Sequence, residues 1–277
     1  MGSLVPKKER MSMRTITVTM LVIGLVAAGA SAAVTSSTLH SAIKSGNPGS
    51  TDDYISSTDC LQGKIGTELP GDMGWHPANG DPLDKLPAFT DGAGMRGTGL
   101  TGLLNDYGNA NPVKLVAYDM TGTTCNALGV ASINIHSSNN EDGRMFSTTV
   151  IKYSMDGGGS YSTLGYFQSD PSGTINLGGS PASIGMKSTM VSVFDDLGAA
   201  IIPAGVTNIE FDLYSVDNTQ GEMRDPFDGV NPFTGVDDGL TGAFESPLIM
   251  EIDVFAVPEP ASLLLLALGG GLLLRRR

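Results

Sequence analysis

Short runs of alternating apolar and polar residues recur along the middle of the chain. They fall at 113–119 (VKLVAYD), 130–136 (VASINIH), 147–155 (STTVIKYSM), 188–194 (STMVSVF), 206–214 (VTNIEFDLY) and 247–255 (PLIMEIDVF). Each run is of strand length, rich in Val, Ile, Thr, Tyr or Phe, and bounded by Gly, Asn, Asp or Pro. Asp156-Gly157-Gly158-Gly159, directly after one run, reads as a tight hairpin turn. The 3.6-residue period of an amphipathic helix is absent, apart from a short helical turn expected over 99–107, and there is no internal repeat. The pattern predicts an all-β antiparallel β-sandwich, a jelly roll, in one domain.

The two ends break this pattern. Residues 15–30 carry no charge, follow the basic stretch Lys7, Lys8, Arg10, Arg14, and run into Ala30-Ser31-Ala32. That order is a secretory signal, so a signal helix over 1–32 is set aside from the fold and the mature chain is expected to start at Ala33. Met11 or Met13 serves equally well as the start, since a basic residue still precedes the apolar run. At the other end Val257-Pro258-Glu259-Pro260 leads into an apolar run over 261–274 and then Arg275, Arg276 and Arg277. The run is shorter than the roughly 20 residues of an ordinary membrane span, and its terminal arginines favour a cytoplasmic end. The expected organisation is 1–32 signal peptide, 33–79 N-terminal extension and first strand region, 80–256 sandwich, and 257–277 tail.

The tail resembles the PEP-C-terminal sorting signal, in which a Pro-Glu-Pro motif, a Leu/Gly-rich transmembrane helix and an Arg cluster stand in this order. The resemblance implies an exosortase, a membrane transpeptidase, as processing partner. It also implies transient anchoring in the inner membrane of a Gram-negative-type cell, with the cell surface or extracellular matrix as destination. It covers only the tail and is silent on the body.

Composition narrows what the body does. The formal net charge is −13 although seven of the basic residues sit at the two ends, so the body itself is strongly acidic. Such a surface repels phosphate backbones and argues against nucleic-acid binding. Catalytic equipment is sparse: three His, and no G-x-S-x-G, H-E-x-x-H or C-x-x-C. Gly92-Ala93-Gly94-Met95-Arg96-Gly97 matches G-x-G-x-x-G but lacks the strand–helix context that a dinucleotide site needs. The carboxylate pairs Glu141-Asp142, Asp195-Asp196 and Asp237-Asp238 leave a glycan hydrolase as a minor alternative. Cys60 and Cys125, the two cysteines, are expected to bridge in an oxidising compartment; two buried free thiols are the alternative.

A second resemblance lies in the body. Leu86-Pro87-Ala88-Phe89-Thr90-Asp91-Gly92, Val116-Ala117-Tyr118-Asp119-Met120, and Ile133-Asn134-Ile135-His136-Ser137-Ser138 with Asp142-Gly143-Arg144 stand in the order seen in galactose-binding-like (discoidin-type) jelly rolls. Ile151-Lys152-Tyr153-Ser154-Met155-Asp156-Gly157-Gly158 and a closing Glu251-Ile252-Asp253-Val254 continue the series. The family's Trp after the Asp-Gly loop is missing; the single Trp, Trp75, lies upstream.

The resemblance implies a structural calcium ion between the Asp-Gly loop and the last-strand Glu, at Asp91, Thr98 and Glu251. The alternative is an Asx-turn at Asp91 and a solvent-facing Glu251. For a carbohydrate ligand such as an exopolysaccharide, an aromatic face with a few polar groups is needed. Candidates are Trp75, His76, Arg144, Phe227 and Phe233. Their alternatives are an ion pair for Arg144 and loop-covering roles for the two phenylalanines. The expectation is a non-enzymatic exported binding module, with a structural matrix or adhesion protein as the runner-up.

Overall fold

The computed structural model describes residues 33–108, 110–139, 143–171, 185–217 and 223–259. The expected signal helix over 1–32, Glu141, Asp142, Pro260, Arg275, Arg276, Arg277 and the expected transmembrane sorting helix lie outside the described residues.

Nine strands among the described residues form two antiparallel sheets packed as a sandwich. They are β1 (Val34–Ser41), β2 (Thr67–Glu68), β3 (Lys114–Asp119), β4 (Val130–Ser138), β5 (Thr148–Ser154), β6 (Ser162–Gln168), β7 (Ser188–Asp195), β8 (Asn208–Leu213) and β9 (Ile249–Ala256). One sheet has the order β1-β7-β4-β9 and the other β2-β3-β8-β5-β6. A one-turn helix α1 (Thr124–Leu128), capped by Thr123, precedes β4.

The alternating runs produce this architecture directly. In β8 Ile209, Phe211 and Leu213 point into the core and are fully buried, while Glu210 and Asp212 point to the opposite face. β3 contributes Val116 and Tyr118, β4 Ile133 and Ile135, β7 Val191 and Val193, and β9 Ile252 and Val254 to the same core. Tyr118 meets Phe211 edge-on, with ring centroids 6.0 Å apart. All six expected runs are strands, and the Asp156 turn joins β5 to β6 as a hairpin. Gly157 and Gly158 there adopt φ of 76° and 86°, and the Asp156 carboxylate accepts from Ser160 N at 2.9 Å.

One expectation changes. No helical turn forms over 99–107; Leu103 and Leu104 instead bridge to Leu248 and Trp75. Gly102 makes this possible: its φ is 65°, and a Cβ there would lie 1.7 Å from the Ile249 carbonyl oxygen. The segment 33–79, expected as an N-terminal extension and first strand region, supplies two strands. β1 runs unbroken along β7, and β2 pairs with β3.

Between β1 and β2 the chain lies over the outer face of the four-stranded sheet. Thr51 N donates to Ser188 Oγ at 3.2 Å, Ser56 N to Asp253 Oδ2 at 3.1 Å, and Cys60 N to the Val254 carbonyl at 2.8 Å. This cover leaves the outward side chains of β9, Glu251 and Asp253, without solvent exposure.

Candidate ligand cleft and buried carboxylates

The loops at one end of the sandwich enclose a cleft of about 540 Å³. Met95, Leu100, Leu103 and Leu248 give it an apolar wall; Leu103 and Leu248 belong to a small core cluster with Met250. Lys44, Asn139, Arg144 and Glu245 supply its donors and acceptors. An apolar wall with a few fixed polar groups suits a small polar ligand that has one apolar face.

Arg144 is the best-fixed of these groups. Its backbone has φ 56°, a conformation rare outside glycine, and its N–H donates to an Asp217 carboxylate oxygen. Its guanidinium forks onto Asp106, at 2.7 Å to Oδ1 and 2.9 Å to Oδ2, and donates to the Ser246 carbonyl at 3.1 Å. Glu245 Oε2 lies 4.0 Å from Arg144 Nε.

The charges respond to one another. Burial pushes the Asp106 carboxyl up, but the hydrogen bonds from Arg144 outweigh it and hold it below the ordinary range. Burial also disfavours the Arg144 charge, and Asp106 again wins, raising it. Glu245 is raised by burial, with Arg144 opposing, and Asp217 is raised well above the ordinary value by burial. Burial thus disfavours a charge on Asp217, which accepts the Arg144 backbone N–H behind the cleft lining.

The five nominated ligand residues fall in three places. Arg144 lines the cleft, and His76 joins it through a shared partner: His76 Nε2 lies 3.5 Å from Asp106 Oδ2. Phe227 and Phe233 lie instead on the outer face of the five-stranded sheet. Phe233 stacks on Tyr166 at 5.0 Å, and Phe227 contacts Tyr214 at 6.0 Å. Trp75 is engaged elsewhere again, packing on Phe89 at 5.5 Å and donating from Nε1 to Glu68 at 2.7 Å. Asp106, Asp217 and Glu245 were not nominated. They come from segments distant in sequence, and nothing local to them marks them as partners of Arg144.

Of the three residues nominated for calcium, Asp91 and Glu251 are electrostatic neighbours and Thr98 is engaged elsewhere. Glu251 is fully buried; its Oε2 accepts from Gly92 N at 3.0 Å and its Oε1 has no partner. Burial, reinforced by Asp253, Asp91 and Asp59, pushes its carboxyl up to about 10. Asp91 stands next to Gly92. Its Oδ1 accepts from Ala93 N at 2.9 Å, closing an Asx-turn, and its Oδ2 pairs with the Arg96 guanidinium. Thr98 donates to Asp84 instead. Among the described residues no three His, Cys, Asp or Glu side chains converge closely enough to hold a metal by themselves.

The two described carboxylate pairs make turns. Asp195 accepts from Leu197 N and Ala199 N, Asp237 from Gly239 N, and Asp238 from Leu240 N. Cys60 and Cys125 form a disulfide with Cα atoms 6.1 Å apart. It fastens the covering segment to α1, beside β9.

The family model described as the PEP-CTERM protein-sorting motif matches residues 256–277. Neither the curated proteins nor the solved structures compared with the chain gave a match. The motif implies an exported cell-surface protein sorted by an exosortase. The match begins at Ala256, the last residue of β9. Val257 still donates its N–H to the Gly129 carbonyl at 3.0 Å, and Pro258 and Glu259 are exposed.

Proposed function

We infer that the protein is a non-enzymatic carbohydrate-binding module displayed at the envelope or in the extracellular matrix of a Gram-negative-type cell. Its ligand class is extracellular polysaccharide, bound in the cleft at Arg144. The observation that carries this reading is a cleft of about 540 Å³ whose one arginine is fixed by a forked carboxylate while an apolar wall faces it. A sugar ring offers both hydroxyls for such a group and an apolar face for such a wall. The galactose-binding-like resemblance supports the reading, since that family is a sandwich of two antiparallel sheets. The inner membrane is a transient partner through the tail, and the acidic charge of the body argues against nucleic acid.

Calcium is proposed as a structural ion at Glu251. Supporting it is a fully buried carboxylate oxygen without a partner, in a neighbourhood of Asp91, Asp253 and Asp59. Glu251 and Asp91 would hold the ion, which would stabilise the charged form of Glu251 that burial disfavours. Thr98, bound to Asp84, is not drawn into this set.

A glycan array on the purified chain, with and without Ca²⁺, tests the proposal. Binding that disappears in Glu245→Gln and Arg144→Lys supports the cleft. No binding in either condition leaves the structural matrix or adhesion reading, and turnover of a bound glycan would point to the hydrolase.

A further inference from the structure

Lys114 opens β3 and is fully buried, the only lysine so placed among the described residues. Lysine is almost never buried this far without partners. Its Nζ lies 2.8 Å from Glu68 Oε1, 2.8 Å from Asp72 Oδ1, and 4.2 Å from the centroid of the Trp75 ring. Two backbone donors clamp the Asp72 carboxyl: Gly74 N–H reaches Oδ1 at 2.7 Å and Leu115 N–H reaches Oδ2 at 2.9 Å. Asp72 is nearly buried, with 9% of its side chain exposed against 38% for Glu68.

An ordinary buried ion pair contributes little net stability, because desolvation offsets the attraction. This arrangement holds something more specific. It holds a buried ammonium in contact with a carboxyl oxygen, places an N–H donor on each oxygen of that carboxyl, and gives the ammonium a second carboxylate that opens to water. We propose that Lys114 and Asp72 become joined by an intramolecular amide bond, with Glu68 carrying the protons.

The step balances without oxidant or cofactor. Glu68 takes a proton from the Lys114 ammonium and frees the nitrogen lone pair. Nζ attacks Cγ of Asp72, and negative charge on the tetrahedral carbon's oxygens meets the Gly74 and Leu115 N–H groups. Oδ1, beside the amine, receives the proton that Glu68 returns and a second one from nitrogen. The Cγ–Oδ1 bond breaks, and water leaves carrying both protons that nitrogen has lost. Oδ2, held by Leu115 N–H, becomes the amide oxygen. Contact between amine and carboxyl makes the reaction unimolecular, the largest advantage available to it. The product is a covalent staple from the turn after β2 to β3, at the edge of the five-stranded sheet where β2 offers only two residues of pairing.

Mass spectrometry of the purified full chain, with its disulfide reduced, tests this. The intact mass is expected to fall short of the sequence mass by one water. Trypsin is expected to leave Lys114 uncut and to release residues 65–85 joined to residues 97–144. Lys114→Met and Glu68→Gln should both restore the full mass. Gln keeps an oxygen for Trp75 and Lys114, so that variant separates loss of proton transfer from loss of folding, with near-ultraviolet circular dichroism as the check. A natively folded wild type with full mass and ordinary cleavage after Lys114 overturns the proposal. So does a link that maps to Glu68 or that forms unchanged in Glu68→Gln.

Discussion

Replacing Glu251 with Gln removes a charge problem while keeping the shape. Glu251 is completely buried, and its carboxyl is raised from an ordinary 4.5 to about 10. A raised carboxyl means that the folded state holds its proton and the unfolded state does not. The stability linked to this group is therefore fully present below pH 4.5 and is lost as pH rises toward about 10. At about 1.4 kcal/mol per pH unit, roughly 3 kcal/mol has gone by pH 7.

Gln is neutral at every pH, so in chelator Glu251→Gln should be more stable than wild type by about 3 kcal/mol at neutral pH. Its Oε1 can still accept from Gly92 N, and its amide can face the surrounding carboxylates. Urea unfolding across the range from mildly acidic to mildly alkaline pH measures this. The wild type should weaken steadily as pH rises, and the variant should run flatter. Added Ca²⁺ should flatten the wild-type profile and leave the variant unmoved. Parallel profiles for the two proteins in chelator would refute the reasoning from burial. A wild type indifferent to Ca²⁺ would remove the ion.

Other predictions are simpler. Gly102→Ala places a methyl against the Ile249 carbonyl in a positive-φ backbone and should cost roughly 3 kcal/mol or more, seen as a large fall in Tm. Asp106→Asn breaks the fork on a largely buried Arg144; a loss of about 3 kcal/mol together with loss of glycan retention is expected, and unchanged retention would displace the cleft as the site. Reducing the Cys60–Cys125 bridge, which spans 65 residues, should lower stability by about 4 kcal/mol in urea unfolding. Phe211→Ala, at the centre of the core, should cost about 3–5 kcal/mol, whereas the same change at half-exposed Phe233 should cost far less.

The strands that were legible in the sequence are those buried between the sheets, where alternation is strict. β8 reads Ile-Glu-Phe-Asp-Leu and needs no further information. β1 reads Val-Thr-Ser-Ser-Thr-Leu-His-Ser, and as an edge strand with few core contacts it carries almost no apolar signal. β6 is interrupted by Gly165, whose missing side chain makes room for the Phe167 ring.

The candidate site divides in the same way. Arg144 and Glu251 could be named from motifs, because each sits in a locally recognisable stretch. Their surroundings could not. Asp106 reaches Arg144 from 38 residues away, and the segment that buries Asp253 arrives from 197 residues away. Phe227 and Phe233 were visible as aromatic residues, but only the folded chain shows that they pack on the sheet's outer tyrosines.

The exit of the sorting tail from β9 has a mechanical side. β9 is an outer strand of its sheet, hydrogen-bonded on one side to β4, and the tail continues straight from its last residue. A pull on the C-terminus loads β9 along its length. Its whole ladder to β4 then resists in shear, instead of opening one rung at a time. Cys60 N–H grips the Val254 carbonyl near the loaded end, and the disulfide carries that grip across to α1. The same strand that buries Glu251 is thus the strand through which a tethered module would bear the drag of its surroundings.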